Sequence, residues 1–205
     1  MARDPATDID ALVTASARVF ARKGYRNATI DDIAEAAKIS RPTVYKYTKS
    51  KQQLLDLMVD HITSYLGRRA DEAMRRDAPP VTRLAELLRL HVEAACRNRE
   101  FYLVALRDEV ELSPKARRQF RKWAHDVTSD LAQLIEACRP GQGLAKDVDA
   151  TVYANLILSM TTALHTWYDP RGRVKENDLY WHLLRLVEHL APGITGMIDS
   201  HTQAG

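Results

Sequence analysis

Residues 28–51 read ATIDDIAEAAKISRPTVYKYTKSK, and this stretch decides the fold of the N-terminal part of the chain. Thr29 precedes a short apolar run as a helix cap does, and two aspartates follow in the first turn, where acids complement the helix dipole. Ser40 is placed to cap the next short helix, and Pro42 lies in its first turn, where a missing N–H has no cost. Two short helices separated by Lys38-Ile39-Ser40 predict a helix-turn-helix.

The second of these helices is the predicted recognition helix, with Val44 turned inward. Its outward residues are Arg41, Thr43, Tyr45, Lys46 and Tyr47. Side chains in a DNA major groove must hydrogen-bond base edges or contact thymine methyl groups, and this set offers both. Lys51 begins the following helix, where a cation beside free N–H groups suits a phosphate oxygen.

The positive charge of the chain is concentrated at this end. Residues 1–52 carry ten Lys and Arg residues against six Asp and Glu, although the whole chain has a net charge of only +3. Five of the cations lie between Lys38 and Lys51 with no acid among them. Such a cluster suits phosphate groups, and the alternative is an ordinary solvated basic face.

The rest of the chain also has helical periodicity. We predict longer helices over 8–23, 51–77, 81–96, 101–112, 114–137, 147–168 and 176–191, with a loop at 139–143 and a frayed tail over 192–205. The expected fold class is all-α with about nine helices and no strand. We expect two domains, a helix-turn-helix domain over 1–52 and a helical effector-binding and dimerisation domain over 53–205.

Composition excludes several classes of protein. The two cysteines, Cys96 and Cys138, are isolated, which argues against a disulfide framework and a structural zinc site. The chain has neither an apolar run of membrane-spanning length nor a secretory signal, so we expect a cytoplasmic protein without membrane contact. Catalytic motifs such as GxSxG, HExxH and GxxxxGK[ST] are also lacking, so we expect no enzyme, no metal and no cofactor.

The order of these features resembles the N-terminal DNA-binding domain of TetR-family transcriptional regulators. The resemblance covers residues 8–58 closely, and beyond them it extends to total length and helical layout. It is carried by VFARKGY at 19–25, DDIAEAA at 31–37, TVYKY at 43–47 and SKQQLL at 50–55. One departure is Thr48, where family members commonly carry Phe, and threonine fills less of the core behind the recognition helix.

The resemblance implies roles for individual residues. Arg41, Thr43 and Lys46 would lie towards base edges or nearby phosphates. Tyr45 and Tyr47 would contact phosphates or methyl groups along the groove wall. Thr29 would cap its helix against a backbone phosphate, and Lys51 would clamp another phosphate. The structural alternatives are a core position for Tyr45 and a solvated lysine for Lys46.

A single helix-turn-helix contacts one half-site, so we expect a homodimer on a double-stranded, palindromic operator. The last two long helices are apolar on two sides, and one side of each would pack against the partner. The residues predicted for this interface are Val152, Leu156, Leu183, Val187 and Leu190. The alternative is deep burial of these helices within a monomer.

The middle helices would enclose a pocket for a small hydrophobic effector, bounded by side chains that bring polar or soft atoms to an apolar wall. The candidates are His91, Tyr102, Arg107, Trp123, Val127, Asn155, Ser159, Met160 and His165. Each has a structural alternative as a core or surface residue, and Arg107 could instead pair with Asp108.

Residues 101–123 and 165–174 resemble a TetR-family branch that includes repressors of fatty-acid and steroid degradation, whose members respond to acyl-CoA thioesters. The resemblance implies an acyl-CoA effector, with cations at the pocket mouth for its phosphates. The residues that could supply them are Arg117, Arg118, Arg121, Lys122, Arg171 and Arg173, and the alternative is that these are solvated charges. Two other functions stay open, a constitutive or architectural DNA-binding protein without a ligand and a regulator controlled by a partner protein.

Overall fold

The structure is a computed structural model that describes residues 5–138, 149–191 and 193–197. Within these residues the chain forms ten α-helices, two short 3-10 turns and no strand. The helices are α1 Pro5–Lys23, α2 Ile30–Ala37, α3 Arg41–Tyr47, α4 Lys51–Arg75, α5 Pro80–Arg97, α6 Arg99–Arg107, α7 Pro114–Ala137, α8 Ala150–Thr162, α9 Leu164–Trp167 and α10 Glu176–Val187. The predicted all-α fold class is confirmed.

The helix predicted over 147–168 is divided into α8 and α9. α8 begins after Asp149, whose carboxylate accepts hydrogen bonds from the N–H groups of Thr151 and Val152. Ala163 separates it from α9. If these two segments are counted as one interrupted helix, the described residues contain the predicted nine.

Two predicted helix ends were wrong. The helix predicted over 101–112 ends at Arg107, because Asp108 leaves the helical region with a φ of −105° and a ψ of 18°; a 3-10 turn over Glu109–Glu111 follows and leads to the buried Leu112. The helix predicted over 176–191 ends at Val187, because the Glu188 carboxylate accepts hydrogen bonds from N–H groups at 193 and 195 and the chain folds back.

The predicted frayed tail is also wrong for its described part. Residues Ile194–Met197 form a 3-10 turn, and Ile194 is completely buried. Gly193 has a φ of 86°, a left-handed conformation that favours glycine at this reversal. The other residues of the predicted tail, and the loop predicted at 139–143, lie outside the described residues.

The chain divides into two compact units. The first comprises Met1–Tyr65 and Asn98–Trp123, and in it α1 packs against α2 and α6 while α2 packs against α3. Its most deeply buried side chains are Leu12, Phe20, Ile33, Val44, Leu54, Leu55, Met58 and Val104. The helix-turn-helix therefore shares its core with α6, which lies far from it in the sequence.

The second unit comprises Leu66–Arg97 and Ala124–Gly205, so α4 and α7 contribute residues to both units. Helix α5 is its central element and packs against α8, α9, α10 and the 3-10 turn at 194–197. The Tyr180 hydroxyl on α10 donates to the Ala85 carbonyl at 3.1 Å, and the Arg89 guanidinium lies 4.0 Å from the tyrosine ring centroid. Among the described residues no helix is both long and apolar enough to cross a bilayer.

Candidate nucleic-acid interface

The helix-turn-helix begins at a reciprocal cap on α2. The Thr29 hydroxyl accepts a hydrogen bond from the Asp32 N–H at 3.2 Å, and the Asp32 carboxylate accepts one from the Thr29 N–H at 3.0 Å. Lys23 at the end of α1 donates to the other oxygen of Asp32 at 2.6 Å. These bonds, led by the one from Lys23, lower the pKa of Asp32 to about 2. The capping role predicted for Thr29 is present, and its contact with a phosphate stays a prediction.

The turn and the start of α3 are fixed by equally local contacts. Lys38 adopts a left-handed conformation with a φ of 55° and ends α2. The Ser40 hydroxyl accepts a hydrogen bond from the Thr43 N–H at 3.3 Å and caps α3 as predicted. Val44 is completely buried and anchors α3 to the core, so the opposite face of α3 is directed away from it.

Thr48 takes the position where a larger aromatic side chain was expected from the resemblance. Its side chain is buried, and its hydroxyl donates to the Ser50 carbonyl at 2.8 Å. The threonine therefore exchanges apolar volume for a hydrogen bond that fixes the connection between α3 and α4. This polar link was not predicted from the sequence.

The side chains predicted to point outward on α3 differ in exposure. Arg41, Tyr45 and Lys46 are exposed, with Tyr45 retaining 44% of its accessible surface. Thr43 and Tyr47 are half-buried. The exposed face of α3 therefore offers a guanidinium, a phenol and an ammonium for contact with a duplex.

Arg41 has a partner within the protein. Its Nη1 donates to both carboxylate oxygens of Asp31, at 2.8 and 3.1 Å, and its guanidinium lies 5.7 Å from the Tyr45 ring centroid. Both charged side chains are more than half exposed, 56% for Arg41 and 63% for Asp31. The pair therefore lies at the solvent-facing surface of the helix-turn-helix.

Lys51, which was predicted to bind a phosphate, forms contacts within the protein. Its ammonium donates to the carbonyls of Arg26 and Ala28, at 2.9 Å each, and lies 4.7 Å from the Tyr25 ring centroid. These bonds hold the connection between α1 and α2 against the first turn of α4. The contact with a phosphate stays a prediction, and the structure adds a stabilising role that the sequence pattern did not indicate.

The other cations of the basic segment remain available. Lys38, Lys46 and Lys49 are exposed, and none of their ammonium groups forms an ion pair or hydrogen bond with a described residue. Their electrostatic field is therefore not cancelled by a local acid. A basic surface of this kind attracts phosphates over the range set by ionic strength.

The 3-10 turn at 109–111 contacts the helix-turn-helix within the first unit. Glu111 pairs with Arg26 at 2.9 Å, and its carbonyl accepts a hydrogen bond from Gln52 at 3.2 Å. The Ser113 N–H donates to the Asp56 carboxylate at 3.0 Å. The beginning of α4 is thus held both by Lys51 and by this turn.

Two family profiles together cover most of the chain. Residues 12–58 match the sequence profile described as "Bacterial regulatory proteins, tetR family". Residues 77–190, more than half of the chain, match the one described as "Tetracyclin repressor-like, C-terminal domain". The chain belongs to the TetR family. TetR proteins are DNA-binding transcriptional regulators that bind operator DNA and dimerise, so this chain is a helix-turn-helix regulator and not an enzyme.

Several TetR-family proteins resemble the chain along most of its length. The HTH-type transcriptional repressor KstR2 of Mycolicibacterium smegmatis is 23% identical over 193 residues, which is 89% of this chain and 90% of that protein. The structure of KstR2 from Mycobacterium tuberculosis aligns with a TM-score of 0.76 at 20% identity, covering 87% of this chain and 92% of the other. The crystal structure of AibR in complex with isovaleryl coenzyme A and operator DNA aligns with a TM-score of 0.73 at 22% identity, covering 90% of this chain and 98% of AibR.

Three of the nine effector candidates of this TetR chain lie in the first unit. Tyr102 is buried, and burial raises the pKa of its hydroxyl. Arg107 donates to the carboxylate of Asp108 and to the Phe20 carbonyl at the end of α1, both at 2.8 Å, so it forms the alternative salt bridge and holds α6 to α1. The indole N–H of Trp123 is buried without a hydrogen-bond partner in the described part of the chain.

The other candidates lie in the second unit and are not all interior. His91 and Val127 are buried, and burial lowers the pKa of the imidazole to about 4. Asn155 and Ser159 are exposed on α8, and Asn155 binds the backbone of its own helix. His165 is half-buried, and its Nδ1–H donates to the Thr162 carbonyl at 2.6 Å.

The predicted dimer residues fall into two groups. Leu183, Val187 and Leu190 are buried within the second unit, although Leu183 also lines the groove described below, and their part in a dimer interface stays a prediction. Val152 and Leu156 are exposed by 53% and 55%. The periodicity of α10 identified both of its apolar sides, but it could not show which side packs against α5.

The exposed apolar surface continues beyond Val152 and Leu156. Met160, Trp167, Val174 and Leu186 are also exposed, and Trp167 and Leu186 retain 58% and 59% of their accessible surface. All four line a groove of about 540 Å³ that is almost entirely apolar. We name the surface formed by Val152, Leu156, Met160, Trp167, Val174 and Leu186 the apolar face.

The cations predicted for coenzyme A phosphates are partly engaged. Arg117 donates to the carbonyls of Glu109 and Leu112, and Arg121 pairs with the Glu109 carboxylate at 2.7 Å. Arg171 and Arg173 are exposed in the connection between α9 and α10. A role of these residues in binding an effector stays a prediction.

Proposed function

We propose that this chain is a cytoplasmic homodimeric repressor that binds a palindromic operator and is released from it by a small hydrophobic effector. The observation that carries the DNA-binding part is the exposed face of the capped helix α3, which presents Arg41, Tyr45 and Lys46. Two further exposed cations, Lys38 and Lys49, flank it, and neither pairs with an acid in the described part of the chain. Such a surface supplies both base-edge donors and phosphate contacts.

The contacts divide by chemistry. Arg41 and Lys46 act as donors to base edges or phosphates, and Tyr45 supplies a hydroxyl and a ring edge along the groove wall. Thr43 and Tyr47, which are half-buried, contact the duplex through their accessible atoms. The N-terminal turns of α2 and α4, at Thr29 and Lys51, lie against the phosphate backbone.

The dimer forms through the apolar face. An exposed apolar surface of this kind is characteristic of an interface, because monomers rarely leave one in contact with water. A two-fold arrangement pairs the same surface on both protomers and directs two helix-turn-helix motifs to successive major grooves, roughly 34 Å apart. Leu186 and Trp167 are the most exposed members and therefore the expected anchors of the interface.

His91 is the best-supported effector contact. Its Nε2 atom is buried without a hydrogen-bond partner in the described part of the chain. Because its pKa is lowered to about 4, the ring is neutral near pH 7 and can accept or donate one hydrogen bond to a polar ligand group. Buried polar atoms are normally satisfied, so a bound effector group is a suitable partner for this nitrogen.

The proposed effector class is an acyl-CoA thioester. The resemblance to the branch with acyl-CoA-responsive repressors supports it, as does the fold shared with a protein crystallised with isovaleryl coenzyme A. An apolar acyl chain suits the apolar interior of the second unit, and the exposed Arg171 and Arg173 suit the phosphates of the coenzyme.

Release follows from a shift between two dimer conformations. Helix α4 contains Lys51 and continues to Arg75, so it contributes to both units. An effector that prefers a conformation with displaced α4 helices would move the two reading helices out of register with successive grooves. The effector changes the affinity for DNA only by its own preference between the two conformations.

The test begins with selection of duplexes from a randomised library by the wild-type protein. The expected product is a palindrome with half-sites one helical turn apart, bound by a dimer whose salt dependence reports several phosphate contacts. Lys46→Ala should reduce the salt slope by about one for each lost phosphate contact. Failure to enrich any sequence at low salt would contradict the proposal.

The effector part requires a separate titration. A series of acyl-CoA thioesters from isovaleryl to long-chain, with free coenzyme A as the control, is titrated into the protein and into the protein–DNA complex. Binding heat together with release of the selected duplex supports the class. The absence of both with every thioester would contradict it and leave the DNA-binding proposal intact.

The apolar face also fits a second candidate function, a regulator controlled by a partner protein. Molecular mass measured by light scattering separates the two occupants, because the homodimer proposal requires twice 23.2 kDa without any added protein. A monomer at micromolar concentration would favour the partner protein.

A further inference from the structure

Asp31 is an acid on the surface that is proposed to meet DNA. It lies in the first turn of α2, and its carboxylate accepts two hydrogen bonds from Nη1 of Arg41, the first residue of α3. The pair is solvent-exposed, so it does not support the core. A negative charge here repels phosphates, so the carboxylate that complements the dipole of α2 also places an acid beside a recognition-helix arginine on the surface proposed to meet DNA.

The neighbouring acids have other roles. Asp32 is used by the cap of α2 and by Lys23. Glu35 is exposed on the same helix, and its carboxylate pairs with no cation in the described part of the chain. Among the acids of α2, Asp31 alone is bonded to a cation of α3 in the described structure.

Building on the proposed function, we propose that Asp31 is a specificity-determining residue that competes with DNA phosphates for Arg41. Nonspecific binding depends on contacts with phosphates. A phosphate can bind the Arg41 guanidinium only by displacing the Asp31 carboxylate that already binds it. A guanine in the correct position offers two acceptors, O6 and N7, to the same guanidinium. Asp31 therefore lowers the affinity for random sequence more than the affinity for the operator.

The geometry leaves the guanidinium able to read a base while it is paired. Arginine has five N–H donors, and the carboxylate contacts Nη1 alone. The Nη2 group of Arg41 lies 3.5 Å from the Tyr45 hydroxyl. The Tyr45 side chain therefore limits movement of the guanidinium on the side opposite Asp31. Asp31 and Tyr45 thus hold the cation between them in one orientation.

The test compares two charge-neutralised variants, Asp31→Asn and the matched control Glu35→Gln. Each removes one exposed acid from α2, and only the first releases Arg41. Fluorescence anisotropy measures the affinity for the duplex selected by the wild type and for a random duplex of equal length, over a series of salt concentrations. The same measurement is made for Arg41→Ala and for the double variant with Asp31→Asn.

Asp31→Asn should bind random duplex about threefold to tenfold more tightly, because a dimer carries two such pairs and an exposed pair is weak. For random duplex, the slope of the logarithm of affinity against the logarithm of salt concentration should be steeper by about one for each α3 helix that contacts DNA. The ratio of selected to random affinity then falls, whereas Glu35→Gln changes both affinities by one factor. In the Arg41→Ala background the effect of Asp31→Asn on this ratio should disappear.

Three results overturn the inference. They are an unchanged ratio in Asp31→Asn, a ratio that falls only through weaker binding of the selected duplex, and a fall that persists without Arg41. The second would mean that Asp31 supports the operator contact without competing with phosphates. If the wild type selects no sequence, the proposed function itself fails, and that result is distinct from these three.

Discussion

Replacement of Lys51 tests whether this residue stabilises the protein before any DNA is bound. Lys51→Ala removes two hydrogen bonds of 2.9 Å to the carbonyls of Arg26 and Ala28 and a cation–π contact of 4.7 Å with Tyr25. Hydrogen bonds from charged groups contribute about 1.5–3 kcal/mol each when shielded, and partial exposure to water reduces this. A cation–π contact at an exposed site adds about 0.5–1 kcal/mol.

We therefore expect Lys51→Ala to lower the free energy of unfolding by about 2 kcal/mol. For a chain of this length the melting temperature should fall by about 4–8 °C. Urea denaturation followed by circular dichroism at a fixed protomer concentration provides the measurement, since dimerisation makes apparent stability concentration-dependent. Lys46→Ala is the control, because its exposed ammonium has no described partner and its loss should change stability by no more than about 0.5 kcal/mol.

A Lys51→Ala protein that unfolds like the wild type would refute the stabilising role. DNA binding by the two variants then separates the remaining roles. A phosphate contact of Lys51 predicts a salt slope reduced by about one, while a purely stabilising residue leaves the slope unchanged once the protein is folded. Lys51→Arg retains the charge but not the compact ammonium, so it should recover phosphate attraction better than stability.

Three further predictions concern other parts of the molecule. Leu186→Glu, which alters an exposed side chain of the apolar face, should give a folded monomer by light scattering, and a stable dimer would place the interface elsewhere. His91 should make stability rise with pH, because its folded pKa of about 4 lies below the unfolded value of 6.5, so the unfolded state binds more protons between these values. Between pH 7.5 and 4 the wild type should lose about 3 kcal/mol from this group, and denaturation of His91→Phe should show a correspondingly weaker pH dependence. Thr29→Ala should lower the free energy of unfolding by about 1 kcal/mol through loss of the α2 cap, and Thr29→Ser should restore most of it.

Short-range signals predicted the DNA-binding region well. Thr29 and Ser40 are caps because each hydroxyl needs only an N–H group three residues later, and both bonds are present. The inward direction of Val44 follows from helical periodicity and is confirmed by its complete burial. These features depend on neighbours in the sequence, and a pattern of residue types is sufficient to locate them.

Long-range partners were not predictable in the same way. The carbonyls that bind Lys51 lie 23 and 25 residues earlier. Every residue has a backbone carbonyl, so residue types do not show which carbonyls will accept these bonds. The exposure of individual α10 residues was not predictable for a related reason, since Leu183 and Leu186 are equally apolar but retain 6% and 59% of their accessible surface. The pairing of Arg41 with Asp31 requires the angle between two helices, which the sequence pattern did not specify.

The packing of α6 against α1 limits how this regulator can be recombined with others. Phe101 and Val104 of α6 are buried in the unit that also contains the helix-turn-helix, and Arg107 closes the end of α1 through the Phe20 carbonyl. A chimera joined after residue 52 would replace the native α6 with the corresponding segment of another protein. The α1 helix would then pack against side chains that do not fit it. To exchange DNA-binding specificity between relatives, single positions of α3 should therefore be substituted together with Asp31. The rest of the native chain should be kept.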